Sequence, residues 1–255
     1  MPYLNRDGVN IYYEDHGRGP VILLSHGYGA TSRMWAGQIE ALSPFCRVVV
    51  WDMRGHGESD CPEDPTAYSE ALTVEDMAAL LRQCGIERAV IGGLSLGGYM
   101  SLAFHLAHPA TVRALMLFDT GPGFRNDEAR HAWNERAQQR ARDLEARGFA
   151  ALGQSDEVRT NRHRSALGLA GAARGMLAQA DGRVIDSLDR IAVPTLVLVG
   201  ADDTNFLAAA DYMARKIPDV VRVTIQGAGH ASNLHQPSAF NRAVEEFLAG
   251  LPATA

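Results

Sequence analysis

With 255 residues, 46% hydrophobic and 21% charged, the chain has ordinary globular composition and room for one sizeable core, so one large domain, with or without an insertion, is expected. A formal net charge of -6 makes the average surface repel a polyanion, which disfavours a nucleic-acid role. Three cysteines, Cys46, Cys61 and Cys84, with no close pairing, fit reduced thiols better than a disulfide framework. The opening MPYLNRDGVN has neither a basic nor an apolar leader region, and no segment approaches the roughly 18 uncharged apolar residues that a membrane span needs; a cytoplasmic address without membrane contact is expected.

Leu4 and the run 9–13 flank Asp7-Gly8, a dipeptide suited to a tight turn, so an antiparallel hairpin is expected to open the sheet. Nearly continuous hydrophobic runs follow at 21–25, 47–51, 89–92 and 112–118, the pattern of strands buried on both faces. Between them, 31–42 and 74–84 have helical spacing, the latter with Thr73 as N-cap and Gly85 as its stop. This alternation predicts an α/β fold, a doubly wound and mostly parallel sheet. After Asp119 the pattern changes: 121–190 holds Arg-, Ala- and Glu-rich helical stretches and no credible strand, the pattern of an inserted helical cap. The rhythm returns with a strand at 193–200, a helix at 208–216, a strand at 221–225 and a helix at 238–251. The expected division is therefore a core of 1–120 and 191–255 with a cap of 121–190.

Gly93-Leu94-Ser95-Leu96-Gly97 reads G-x-S-x-G, placed after a strand and before a helix. A serine on so tight a turn takes strained dihedrals, its flanking glycines let backbone pass close, and its hydroxyl projects freely. At the end of the first core strand, Ser25-His26-Gly27-Tyr28-Gly29 has the make-up of an oxyanion loop. The amides of Tyr28 and Leu96 are the expected donors, each worth about 3–4 kcal/mol to a developing oxyanion. His26 is read as structural, because that loop acts through its main chain. A nucleophilic serine needs a base, and the base an orienting acid. Asp202 or Asp203, after the strand at 193–200, and His230, after the strand at 221–225, lie where open α/β sheets place ligands, in the chain order Ser, acid, His.

These stretches, with Asp52-Met53-Arg54-Gly55-His56-Gly57-Glu58-Ser59, resemble the α/β-hydrolase superfamily over nearly the whole chain. The branch is the serine-nucleophile one that includes small esterases, cofactor-free haloperoxidases, enol-lactonases and carbon–carbon bond hydrolases. In that family the acid usually stands fourth in G-x-x-D, which selects Asp203 over Asp202; Leu207 stands where the family often has proline. The resemblance implies a catalytic set of Ser95, Asp203 and His230, a structural role for 52–59, and a small ester or lactone as substrate. A serine at the elbow argues against the dehalogenase and epoxide hydrolase branches, which use a carboxylate. Two alternatives share the triad, carbon–carbon cleavage of a vinylogous diketone and 3-oxoadipate enol-lactone hydrolysis; a third is a non-catalytic ligand sensor on the same fold.

Neither a dinucleotide fingerprint nor a ligand cluster is present, so no organic cofactor and no metal is implied; His105 and His108 are read as helix-end or surface residues. The basic run 159–164 is read as a solvated helix face and Trp133, Phe124, Phe149 and Met176 as buried packing, while homo-oligomerisation stays open.

Overall fold

A computed structural model describes residues 2–159 and 161–252. Strand β1 (Tyr3–Arg6) turns into β2 (Val9–Gly17) through Asp7 and Gly8, both at positive φ (53° and 83°), the mirror-image turn whose twist suits a hairpin. Then come β3 (Val21–Ser25), α1 (Ala36–Leu42), β4 (Arg47–Trp51), α2 (Glu70–Gln83), β5 (Ala89–Leu94), α3 (Leu96–Ala107) and β6 (Val112–Phe118). After an intervening helical stretch, β7 (Thr195–Gly200) and β8 (Val220–Ile225) complete an eight-stranded sheet of order β1-β2-β4-β3-β5-β6-β7-β8. β2 pairs antiparallel with β4; from β4 onward every pairing is parallel, so the carboxyl ends of β3 to β8 share one edge.

The continuous apolar runs are explained by two-sided burial. Successive side chains point to opposite faces. Leu23, Val49, Ile91, Leu117 and Val197 pack with α2, α3 and α8 (Leu207–Lys216). Leu24, Val50, Val90, Phe118 and Leu198 pack on the other face with α1 and α10 (Pro237–Ala249). At the centre of that second layer Trp35, Phe118 and Phe240 form an aromatic group, with Phe118 and Phe240 edge-to-face at 4.7 Å between centroids.

Between β6 and β7 lie α4 (Asp127–Arg147), α5 (Asp156–Arg159), α6 (Ala166–Ala172), a π-helical turn at Ala173–Leu177 and α7 (Arg183–Asp186), with no strand among the described residues. Met176 is buried and the Trp133 indole donates to Leu177 O at 2.8 Å, as expected of packing residues, whereas Phe149 is exposed. Other boundaries also differ from expectation. The 31–42 segment is a 3-10 turn (Ser32–Trp35) leading into α1. α2 begins earlier than Thr73, because Ser69 takes the N-cap, accepting from Leu72 N–H, while Thr73 Oγ1 bonds back to Ser69 O inside the first turn. A short α9 (Ser232–His235) precedes α10. No helix among the described residues is long and apolar enough to cross a membrane.

Phe240→Ala removes a ring that is 1% exposed from this aromatic group. We expect a loss of about 3–5 kcal/mol, read as a lower urea midpoint at unchanged slope.

Candidate active site

Strained and closely packed backbone lies where β5 hands over to α3. Ser95 sits at φ 55°, ψ -112°, a conformation that costs a non-glycine residue about 1–3 kcal/mol unless its surroundings enforce it. They do: its N–H donates to Phe118 O (2.9 Å), and its carbonyl accepts from Tyr99 N–H (3.0 Å) and Thr120 Oγ1 (2.6 Å). A Cβ on Gly97 would lie 2.1 Å from Ser25 O, and one on Gly93 2.4 Å from the Gly97 carbonyl carbon, so neither position admits a side chain. The Ser95 hydroxyl does not cap α3. Leu96 opens that helix, where the first N–H groups lack intrahelical acceptors and the dipole end is positive.

The loop after β3 runs past this turn, with the Gly27 backbone beside Leu94 and Ser95. His26 is wholly buried and both ring nitrogens serve the backbone: Nε2 accepts from Met53 N–H (2.9 Å), so Nδ1–H donates to Gly27 O (2.7 Å). Burial lowers its pKa despite the Asp52 charge. Tyr28 turns its side chain toward the helical stretch, where its hydroxyl donates to Leu169 O (2.8 Å) and Arg140 lies over its ring. Leu152 and Val158 face Gly29.

Residues 52–59 brace this loop. The Asp52 carboxylate accepts Ser32 N–H (2.6 Å) and Glu58 N–H (2.8 Å), and Arg54 grips Asp76 through Nε (2.6 Å) and Nη2 (2.8 Å). His56 packs between His26 and His163, at 4.8 and 5.8 Å between centroids. The reading of 159–164 as a solvated helix face holds for the exposed Arg159, Arg162 and Arg164, but 161–164 are not helical and the half-buried His163 imidazole turns inward to the backbone of 29 and 57. Its Nδ1 accepts from Gly57 N–H (3.1 Å) and its Nε2–H donates to Gly29 O (3.0 Å), which a lone sequence histidine among arginines does not disclose. Among the helix-end pair, His108 bonds Glu75 at 2.8 Å while His105 is buried.

On the opposite side Asp203 and His230 come together. Asp203 is buried and its Oδ2 meets His230 Nδ1 at 2.8 Å, whereas Asp202 is exposed. Burial pulls the imidazole pKa down, but the Asp203 bond and charge, helped by Asp119 and Glu157, outweigh it and leave it raised. Phe206 stacks on the ring at 5.0 Å and 22°. No hydrogen bond joins Ser95 Oγ to this imidazole among the described residues. His235 adds a tether, Nδ1 accepting Gly229 N–H (2.9 Å) and Nε2 meeting Asp156 of α5 (3.1 Å).

One group escaped sequence reasoning. Asp119 follows β6 at φ 45°, is fully buried, and accepts from Gly200 N–H (2.7 Å), from Ser232 N–H (3.4 Å) and from Ser232 Oγ. Burial raises its pKa to about 7 against these bonds. Its only sequence signal is a carboxylate directly after the apolar run 114–118.

Residues 21–243 match the family model described as Alpha/beta hydrolase family. The chain belongs to that family. The hydrolase is 29% identical to 3-oxoadipate enol-lactonase 1 of Acinetobacter baylyi, across 92% of either chain. It superposes on a thermophilic esterase from Thermogutta terrifontis with a TM-score of 0.87 at 28% identity, covering 98% of this chain and 99% of the other. A hydrolase from Pseudomonas aeruginosa PA01 gives 0.81 at 32% identity over 98% of both. The chain is thus an enzyme of the α/β-hydrolase type, with the fold expected from its strand pattern.

Burial lowers the pKa of His163 below 6.5, so the unfolded chain takes up this proton at a higher pH than the fold does, and wild type loses stability as pH falls below about 6.5. His163→Leu strands Gly57 N–H and Gly29 O, so we expect it to be about 1–3 kcal/mol less stable at pH 7.5. The gap to wild type should narrow towards pH 5 in paired urea titrations; a constant gap would remove His163 from the acid response.

Proposed function

We propose that the hydrolase cleaves a small carboxylic ester or lactone through an acyl-enzyme on Ser95. The observation that carries this reading is the Asp203–His230 bond at the sheet edge that also bears the strained Ser95 turn. His230 Nε2 takes the Ser95 proton as Oγ attacks the substrate carbonyl. Asp203 fixes the tautomer with the proton on Nδ1 and stabilises the imidazolium. The amides of Tyr28 and Leu96 receive the oxyanion, collapse expels the alkoxide with the proton from His230, and water repeats the cycle to release the acid. A buried, hydrogen-bonded Asp203 beside an exposed Asp202 supports the choice of acid. The serine–imidazole bond of such a set forms as substrate binds and brings the two groups into line.

Residues 121–190 act in this reading as a cap that shapes the acyl pocket, with Leu152 and Val158 over the oxyanion loop. An enol-lactonase and an esterase among the relatives support acyl transfer to water. His26 has no free nitrogen to act as base, and residues 52–59 hold loops rather than substrate.

Wild type and Ser95→Ala should be compared on p-nitrophenyl acetate, butyrate and octanoate. We expect Ser95-dependent release with a chain-length optimum, and losses of about 10⁴-fold or more for Ser95→Ala and about 10⁴-fold for Asp203→Asn, with Asp202→Asn unaffected. Wild-type turnover by Ser95→Ala would overturn the assignment.

The raised imidazole predicts that kcat/KM climbs with pH through a midpoint above 6.5, since the neutral form is the base and Asp203 holds the proton on. A midpoint below 6.5 would mean that another group limits the acid side.

A further inference from the structure

We infer that Asp119 and Thr120 form a positioning clamp that sets all three loops of the proposed triad, Thr120 holding the Ser95 turn and Asp119 holding the turns that carry Asp203 and His230. The inference rests on that triad reading. β6 lies between β5 and β7 in the sheet, so its carboxyl end is flanked by the serine strand and the acid strand alike. Two consecutive residues there face opposite ways along the edge. Thr120 Oγ1 donates to Ser95 O (2.6 Å), and a Cβ on Gly98 would lie 2.5 Å from Thr120 Cγ2, so the first turn of α3 rests on this side chain. Asp119 reaches the other way. It takes the N–H of Gly200, the residue that opens the Asp203 turn, and both donors of Ser232, two residues beyond His230.

A purely architectural role needs hydrogen-bond acceptors but not an ionisable group. In its ionised form the carboxyl adds negative charge near the imidazole, and its effect on His230 then has the same sign as that of Asp203. Asp203 faces the imidazole from the loop after β7, and Glu157 from α5 also favours its charged form; Asp119 acts together with these groups and against burial. The strain at φ 45° and the wholly buried carboxyl are tolerated because three donors converge on one side chain. Asp119 does not touch the reacting atoms in this arrangement; it acts through Gly200, Ser232 and the field at His230.

The test uses the full chain, p-nitrophenyl butyrate for turnover and diisopropyl fluorophosphate to report Ser95 reactivity independently of the natural substrate. Asp119→Asn keeps an acceptor for Gly200 N–H and removes the charge. We expect kcat to fall about 10- to 100-fold with KM little changed, phosphorylation of Ser95 to slow in parallel, and the pH midpoint of kcat/KM to move down. Thr120→Val should slow kcat and phosphorylation about 10-fold while leaving the pH midpoint in place. If Asp119→Asn does not fold, Ser232→Ala takes its place, because it removes one donor and leaves the carboxylate; a lower kcat at unchanged midpoint supports the clamp. Wild-type kcat in a folded Asp119→Asn or in Ser232→Ala, or a change confined to KM, would overturn it. Failure of the triad itself reads differently, as phosphorylation and turnover that survive Ser95→Ala.

Discussion

Everything at the carboxyl edge of the sheet depends on six parallel strands, β3 to β8, of which β3 to β7 are buried on both faces. Parallel pairing forces each connection to cross back over a face of the sheet, so chain turns of like kind collect at one edge. The loops after β3, β5, β6, β7 and β8 line that edge, and Asp119, Gly200, Asp203, His230 and Ser232 are hydrogen-bonded there although up to 113 residues, from Asp119 to Ser232, separate the bonded partners. The two apolar layers that enforce this are bulky and buried, which is why backbone as strained as Ser95 and Asp119 persists.

Much of this was legible because its causes are local. Apolar runs are continuous where both faces are covered, the Asp7-Gly8 turn needs only its own dihedrals, and the G-x-S-x-G spacing records how closely Ser25 passes Gly97. Strand ends and chain order point to His230 with an acid at 202 or 203, the family resemblance selects Asp203, and its carboxylate lies 2.8 Å from the imidazole. What stayed hidden depends on distant partners. Ser69 and Thr73 both suit an N-cap, and only the course of the preceding chain selects Ser69. His163 bonds across 134 residues to Gly29 and 106 to Gly57. Asp119 reaches 81 residues to Gly200 and 113 to Ser232. No window of sequence contains such pairs.

Electrostatics sorts the titratable groups at this edge. His26, His56 and His163 are held towards neutrality by burial, with hydrogen bonds to backbone that suit fixed tautomers. His230 alone among these histidines has a carboxylate partner and is shifted the other way. Three imidazoles are thus shifted towards the neutral form and a fourth towards the charged one, and the difference lies in neighbours rather than in residue type.

The grip on the loop after β3 also bears on how such a protein can change. Tyr28 is bonded to Leu169, and Gly29 to His163, so the helical stretch and the loop behind Ser95 share two fastenings. Exchanging that stretch for another, by recombination or by design, would release both unless the newcomer brought a carbonyl to the Tyr28 hydroxyl and a donor–acceptor pair to Gly29 and Gly57. New pockets on this scaffold are therefore more readily reached by point substitutions at Leu152 and Val158, which face the loop without holding it, than by transplanting whole helices.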